Sequence, residues 1–145
     1  MIVVDPSVLA PALGDDGSAG DAARDRLRGE QLAAPALIDL EVTSVFRSQN
    51  ADRLMDDRRA NQALNDLLQL PIRRAEHRHL VARCWELRRN LTPYDAAYVA
   101  LAEALHVPLL TADERLSRAP GIRCQVQVIG DDHRSARTRS KRPES

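Results

Sequence analysis

Four carboxylates stand where a folded chain could gather them into one site. Asp5 closes the apolar run MIVV, and Glu41 lies inside the apolar stretch PALIDLEVTSVFRS. Asp95 and Asp113 belong to TPYDAAYVALAEALHVPLLTADERL, residues 92–116. Each acid has an ordinary explanation. Asp5 and Asp113 are placed to cap the helices that follow them, and Thr92 and Asp95 have capping-box spacing. Glu41 could be a boundary residue of its helix. Gathered together, however, the same acids repel one another unless protonated or neutralised. The neutraliser that suits a set of oxygen ligands is a hard divalent cation, Mg²⁺ or Mn²⁺. No zinc site competes with this: His77 and His79 are two residues apart and face different ways, and His106 and His133 stand alone. Cys84 and Cys124 cannot complete a metal quartet and read as reduced thiols at the core or its boundary.

The elements that must position these acids follow from pattern. MIVV is long enough only for a buried strand, and Pro6 suits the first turn of a helix behind it. GDDGSAG is a loop, and SAGDAARDRLRG is a short helix closed by Gly29. QLAAP is a small strand. Pro35 then opens a helix in which Leu37, Leu40, Glu41, Val45 and Phe46 recur at helical spacing. RLMDDRRANQALNDLLQL is a further helix with Leu64, Leu67 and Leu68 as its apolar face. PIRRAE is extended. HRHLVARCWELRRN returns to helix and is expected to bury some of Leu80, Val81, Cys84, Trp85 and Leu87. Pro93 opens the next helix, and VPLLT and the alternating QVQVIG supply the last strands.

Strands separated by helices predict an α/β fold, a central parallel sheet of about five short strands flanked by helices. Ligands of such sheets sit beyond the carboxyl ends of the strands. Asp5 and Asp113 each end a strand, so both fall at one edge if those strands are central. Asp95 is the third residue of a helix that Thr92 caps, where the helix dipole favours a negative charge. A carboxylate within an apolar helix, as at Glu41, is costly unless paired or metal-bound. Asp39 points about 200° away from Glu41 around the helix, toward solvent.

A chain of 145 residues with a formal net charge of zero reads as one domain with no global field to steer it to nucleic acid or membrane. Residues 1–130 form that domain, and DDHRSARTRSKRPES, residues 131–145, is a mostly basic, disordered tail. The start lacks a charged leader, and no run approaches the roughly 20 apolar residues of a membrane span, so the cytoplasm is the expected location.

The motifs MIVVDPSVL, PALIDLEVTSVFR and LTPYDAAYVALAEALHVPLLTADERL, in this order, resemble the PIN-domain nucleases, specifically the VapC-type toxins of bacterial toxin–antitoxin pairs. The late block, Y-D-A-x-Y-x-A-L-A followed by P-L-x-T-x-D, is the most specific piece. The resemblance implies a PIN fold and Mg²⁺- or Mn²⁺-dependent cleavage of RNA. The family's four acids fall on Asp5, Glu41, Asp95 and Asp113, and its supporting hydroxyl residues on Ser7 and Thr111. It also implies a VapB-like antitoxin as partner, and a homodimer. Pro6 departs from the small residue usual after the first acid. Leu116 and Ser117 occupy places where some relatives carry a further carboxylate, so one metal is expected rather than two.

Two rivals remain. A catalytically inactive PIN-fold module that binds RNA or protein would keep the shape without the chemistry. A phosphoacceptor signalling domain also places acids at strand ends, but it needs a lysine late in the domain, and the only lysine is Lys141. Phosphate contacts would therefore come from arginine, with Arg47, Arg88, Arg89 and Arg115 as candidates. With one Trp, two Tyr and one Phe, base stacking is not expected as a broad binding strategy.

Overall fold

A computed structural model describes residues 1–130. Its strands are β1 (Ile2–Val4), β2 (Leu32–Pro35), β3 (Arg73–Ala75), β4 (Leu109–Thr111) and β5 (Val126–Val128). They form one sheet in the order β3-β2-β1-β4-β5, and every neighbouring pair is parallel. The helices are α1 (Pro6–Gly14), α2 (Ser18–Leu27), α3 (Ile38–Ala51), α4 (Asp57–Gln69), α5 (Val81–Glu86), α6 (Pro93–Leu105) and α7 (Glu114–Arg118), with a 3₁₀ turn at Arg78–Leu80. The basic segment 131–145 lies outside the described residues. Among these, no helix is long and apolar enough to cross a membrane.

The strand order decides where a site can form. From β1 the chain steps outward to β2 and β3, then returns to the other side of β1 for β4 and β5. Neighbouring connections therefore diverge between β1 and β4, the switch point at which open α/β sheets bind ligands. Register is set by Val3 opposite Leu109 and Val4 opposite Leu110. One step further, Asp5 leaves β1 level with Thr111 at the end of β4. The Asp5 N–H donates to the Leu110 carbonyl at 3.2 Å and extends the pairing to the sheet edge.

α6 is the central helix of the fold. Thr92 caps it, Pro93 supplies its first residue, and Ala96 through Ala102 are all buried. A helix apolar on all sides must be covered on all sides. α6 meets β1, β2 and β4 on one side, and α5 and the 3₁₀ turn on the other. Its alanines let the backbone approach the sheet closely. Gly29, at φ +77°, follows α2 as its breaker position requires.

The structure corrects several sequence expectations. Pro35 is the last residue of β2 rather than the opening of a helix, and α3 begins at Ile38. A buried strand-end proline fits because its missing N–H is not needed there. Leu40 and Leu68 are 75% and 74% exposed, because α3 and α4 turn Ile38, Val42 and Phe46, and Ala63 and Leu67, to the core instead. The predicted helix from His77 breaks into the 3₁₀ turn and the short α5. Of its apolar residues Leu80 and Leu87 are buried, in line with the expected partial burial, and Val81 and Trp85 stand in solvent. Asp39 is not free in water. Its Oδ2 accepts from Arg74 Nε at 2.8 Å, and its Oδ1 is buried without a partner. Cys84 and Cys124 are free thiols at the core boundary, as expected.

Close packing of α6 on the sheet makes a size prediction. Ala102 is fully buried, so Ala102→Leu should lower stability by about 1–3 kcal/mol through overpacking. Urea denaturation measures this, and an unchanged midpoint would mean that α6 has room the structure does not show.

Candidate active site

Asp5 and Thr111 are the buried polar side chains among the described residues, and they are bonded to each other. Thr111 Oγ1 donates to Asp5 Oδ2 at 2.5 Å. Ser7 Oγ donates to Asp5 Oδ1 at 2.5 Å, and the Ser7 backbone N–H adds a third bond at 3.0 Å. That third bond is the N-cap of α1, so capping and site membership coincide. Both hydroxyls also accept: Ser7 Oγ from the Ala112 N–H at 2.8 Å, and Thr111 Oγ1 from the Asp113 N–H at 3.1 Å. The turn after β1 and the turn after β4 are thereby tied through one carboxylate. Burial dominates these bonds and raises the Asp5 pKa above its ordinary value, with the Asp95 charge a smaller contribution in the same direction.

Glu41 lies in the first turn of α3. The hydroxyl of Tyr98 donates to its Oε1 at 2.6 Å. Burial again raises the carboxyl, the Tyr98 bond opposes this, and the charges of Asp95 and Asp5 raise it further. The Tyr98 phenol is pushed up by its own burial and then by Glu41, which keeps it a donor. Tyr98 is three residues after Asp95 on α6, one face of one helix. Sequence reading assigned it no role, although it stands inside the Y-D-A-x-Y motif.

Asp95 occupies the mouth of α6, where Thr92 Oγ1 accepts its N–H at 3.2 Å. Burial first and the Asp113 charge second raise its pKa, while Thr92 and Arg115 act the other way. Asp113 caps α7 by accepting the Arg115 N–H at 3.0 Å. The Arg115 guanidinium then folds back to both of its oxygens, at 3.2 Å each, and lowers the Asp113 pKa. Arg115, a sequence candidate for phosphate contact, thus faces the fourth acid. Arg47, Arg88 and Arg89 are exposed.

The fold brings all four acids, with Ser7 and Thr111, to the carboxyl edge of the sheet. The couplings run Asp5 to Asp95, Glu41 to both, and Asp95 to Asp113. Among the described residues no three His, Cys, Asp or Glu side chains are already gathered as a metal cluster. Closing such a set requires Glu41, Asp95 or Asp113 to turn, and all three are at least partly exposed. The donor set fits a hard divalent cation: it is made of oxygens, three of its carboxyls are raised, and the cation paired with it among the described residues, Arg115, is 89% exposed and can swing away.

These shifts set a pH dependence. A carboxyl raised in the folded state binds more protons folded than unfolded, so stability falls as pH rises from the ordinary value toward the raised one. That window opens at 3.8 for Asp5 and Asp95 and at 4.5 for Glu41. Asp113 has the opposite sign, contributing above 3.8 and losing its contribution as pH falls through its lowered value, but its partner is screened by solvent. In chelator, Asp5→Asn should therefore gain urea stability relative to wild type as pH rises above the acid range. A variant midpoint that tracks wild type at every pH would contradict a raised Asp5.

Comparison with known proteins gives a consistent picture. The family model described as PIN domain matches residues 2–122. Ribonuclease VapC1 of Mycobacterium tuberculosis is 39% identical over 128 residues, covering 88% of this chain and 96% of that protein. Ribonuclease VapC9 of the same organism is 43% identical over 132 residues, covering 89% and 98%. Among solved structures, VapBC2 from Rickettsia felis, bound to a DNA fragment from their promoter, matches with a TM-score of 0.64 at 14% identity, over 88% of this chain and 98% of that one.

Proposed function

We propose, from the premise that this chain belongs to the PIN-domain family and to the VapC ribonucleases within it, that its four acids form the active site of an endoribonuclease toxin. The observation that carries the reading is the clasp of Ser7 and Thr111 on Asp5, which holds a buried carboxylate at the switch point of the sheet, within reach of the charge of Asp95. An inactive binding module would have no need to maintain such an arrangement, with three carboxyls raised together.

Asp5, Asp95 and Asp113 are the residues that would hold a single Mg²⁺ or Mn²⁺, directly or through water, with Glu41 beside them. When bound, such an ion supplies a water of lowered pKa and offsets charge on the phosphate oxygens. The protein's own residues do the rest. Asp5 is fixed in orientation by three donors. Glu41, with Oε1 occupied by Tyr98, has Oε2 free to take a proton from the attacking water or to orient it. Arg115, exposed and paired with Asp113, would be available to a phosphate if Asp113 turned to an ion. The partner is a VapB-like antitoxin, consistent with the assembled VapBC2 structure, and the active form is a homodimer.

Cleavage of single-stranded RNA in Mg²⁺ or Mn²⁺ tests this reading. Chelator should abolish it, and Asp5→Asn should reduce it by at least about 100-fold. Equal cleavage by Asp5→Asn and wild type would remove Asp5 from the site. Tyr98→Phe, which deletes only the hydroxyl on Glu41, should lower kcat by about 10- to 100-fold with the fold retained. Full activity in that variant would show that Glu41 needs no orienting partner.

A further inference from the structure

The chain leaves its sheet at the edge where the acids stand. β5 runs parallel to β4, with Val128 opposite Thr111, and the Ile129 N–H donates to the Thr111 carbonyl at 2.8 Å. Thr111 is the residue that clasps Asp5. Gly130 follows one residue later, exposed and at φ +99°. One cavity of about 960 Å³ is lined both by Ser7 and Ala112 and by Val128, Ile129 and Gly130. Beyond Gly130 the sequence is DDHRSARTRSKRPES. Arg134, Arg137, Arg139, Lys141 and Arg142 place five cations in residues 134–142, with no acid among them.

The rest of the chain has the opposite balance. Of 21 basic and 21 acidic residues, five and three fall in 131–145, so residues 1–130 hold 16 and 18. All 16 are arginines, and nine of them already pair with carboxylates of the same domain, Arg115 at the site included. RNA that reaches the site therefore brings phosphates up to four carboxylates on a body of slight negative charge. Salt limits such fields to about 10 Å at 0.1 M, so the charge that attracts RNA has to be tethered close to the site.

We propose that the basic segment 134–142 is a substrate-binding arm, contacting phosphates of single-stranded RNA that flank the bond held at the acids. It rests on the ribonuclease reading above and extends it to how the substrate is gripped. An extended chain spans about 3.3–3.6 Å per residue, so Arg134 is at most about 14 Å from Gly130 and Arg142 at most about 40 Å. That range covers the strand on either side of the acids. Arginine forks match phosphate oxygens, and a segment without aromatic residues reads the backbone rather than the bases. Docking on the chain's own acids is disfavoured, because Asp131 and Asp132 come first and add like charge there. Nor does the cavity beside Gly130 offer unmet charge. Its Asp21 and Asp25 already pair with Arg24 and Arg28, at 2.6 and 3.0 Å.

Three proteins test the arm: the full chain, a variant ending at Gly130, and a full-length variant carrying Arg134→Gln, Arg137→Gln, Arg139→Gln, Lys141→Gln and Arg142→Gln. Each is titrated in chelator with single-stranded RNA across a salt series. A single-strand contact contributes about 0.7 to the slope, so both variants should lose about 2–3 from it and bind about 10- to 100-fold more weakly at low salt. In turnover with Mn²⁺, both should raise KM for RNAs with flanking nucleotides and leave kcat near wild type. The shortest cleavable RNA, which has no flanks, should be cut equally by all three. An unchanged salt slope would overturn the arm, as would a fall in kcat with KM unchanged. Higher kcat or tighter Mn²⁺ binding in the variants would overturn it too, since the segment would then occupy the acids of its own chain. So would normal RNA binding with lost association to a VapB-like protein, which would make the segment a protein-docking element. RNA binding that depends on the segment, in a wild type that cleaves no RNA, would instead overturn the ribonuclease reading.

Discussion

A carboxylate buried at the edge of a parallel sheet is the constraint on which the rest of this structure depends. Without donors, Asp5 would carry a large desolvation cost. It is held by Ser7 from the turn after β1 and by Thr111 from the end of β4, residues 104 apart in sequence. Each hydroxyl has a single proton to give, directs it to Asp5, and accepts a backbone N–H from the turn after β4. β1 and β4 are three residues each, too short for ladder bonds alone to fix the edge firmly. The polar clasp sets the level at which both strands end, and hence the level of Asp113 and α7. The Ile129 N–H bonds the Thr111 carbonyl at 2.8 Å, so β5 is referenced to the same point.

The other acids inherit their environment from that frame. α6 places Asp95 at its mouth and Tyr98 one turn later, and Tyr98 fixes Glu41 from α3. Three carboxyls are raised together because burial and their mutual charges act in one direction. The fourth escapes through Arg115, whose side chain stands almost wholly in water. A fold selected for stability alone would not concentrate unneutralised acids at one edge. Such strain at a site is the usual compromise between stability and activity.

Apart from Pro35 at the end of β2, the departures from the sequence reading lie at surfaces rather than in the core. Helical spacing marked Leu40, Leu68, Val81 and Trp85 as candidates for burial, but periodicity cannot say which of two neighbouring apolar residues a helix turns inward. Tertiary packing chose Ile38 and Val42 over Leu40, and Leu80 and Leu87 over Val81 and Trp85. The break of the predicted helix into a 3₁₀ turn and a short α5 has no strong local signal. It is nonetheless what leaves Trp85 exposed in the wall of a cavity that Tyr94 also lines. Asp39 was misplaced for a related reason, since its partner Arg74 comes from a strand 35 residues away.

The sequence by itself determined the alternation of strands and helices, the parallel sheet, and the caps at Asp5, Thr92 and Asp113, and it named the four acids proposed as the site. These are encoded locally, in runs of β-branched residues, in proline and glycine positions, and in a motif block read in order. Tertiary structure alone decided that Ser7 and Thr111 share one carboxylate, that Tyr98 serves Glu41, that Arg115 folds onto Asp113, and that two exposed aromatics line one cavity. Three of these four arrangements bring together residues more than 50 positions apart or on separate elements, and the fourth depends on which rotamer an exposed arginine adopts. A local pattern names the groups, but distance and burial, which set bond partners and pKa, exist only once the chain has closed on itself.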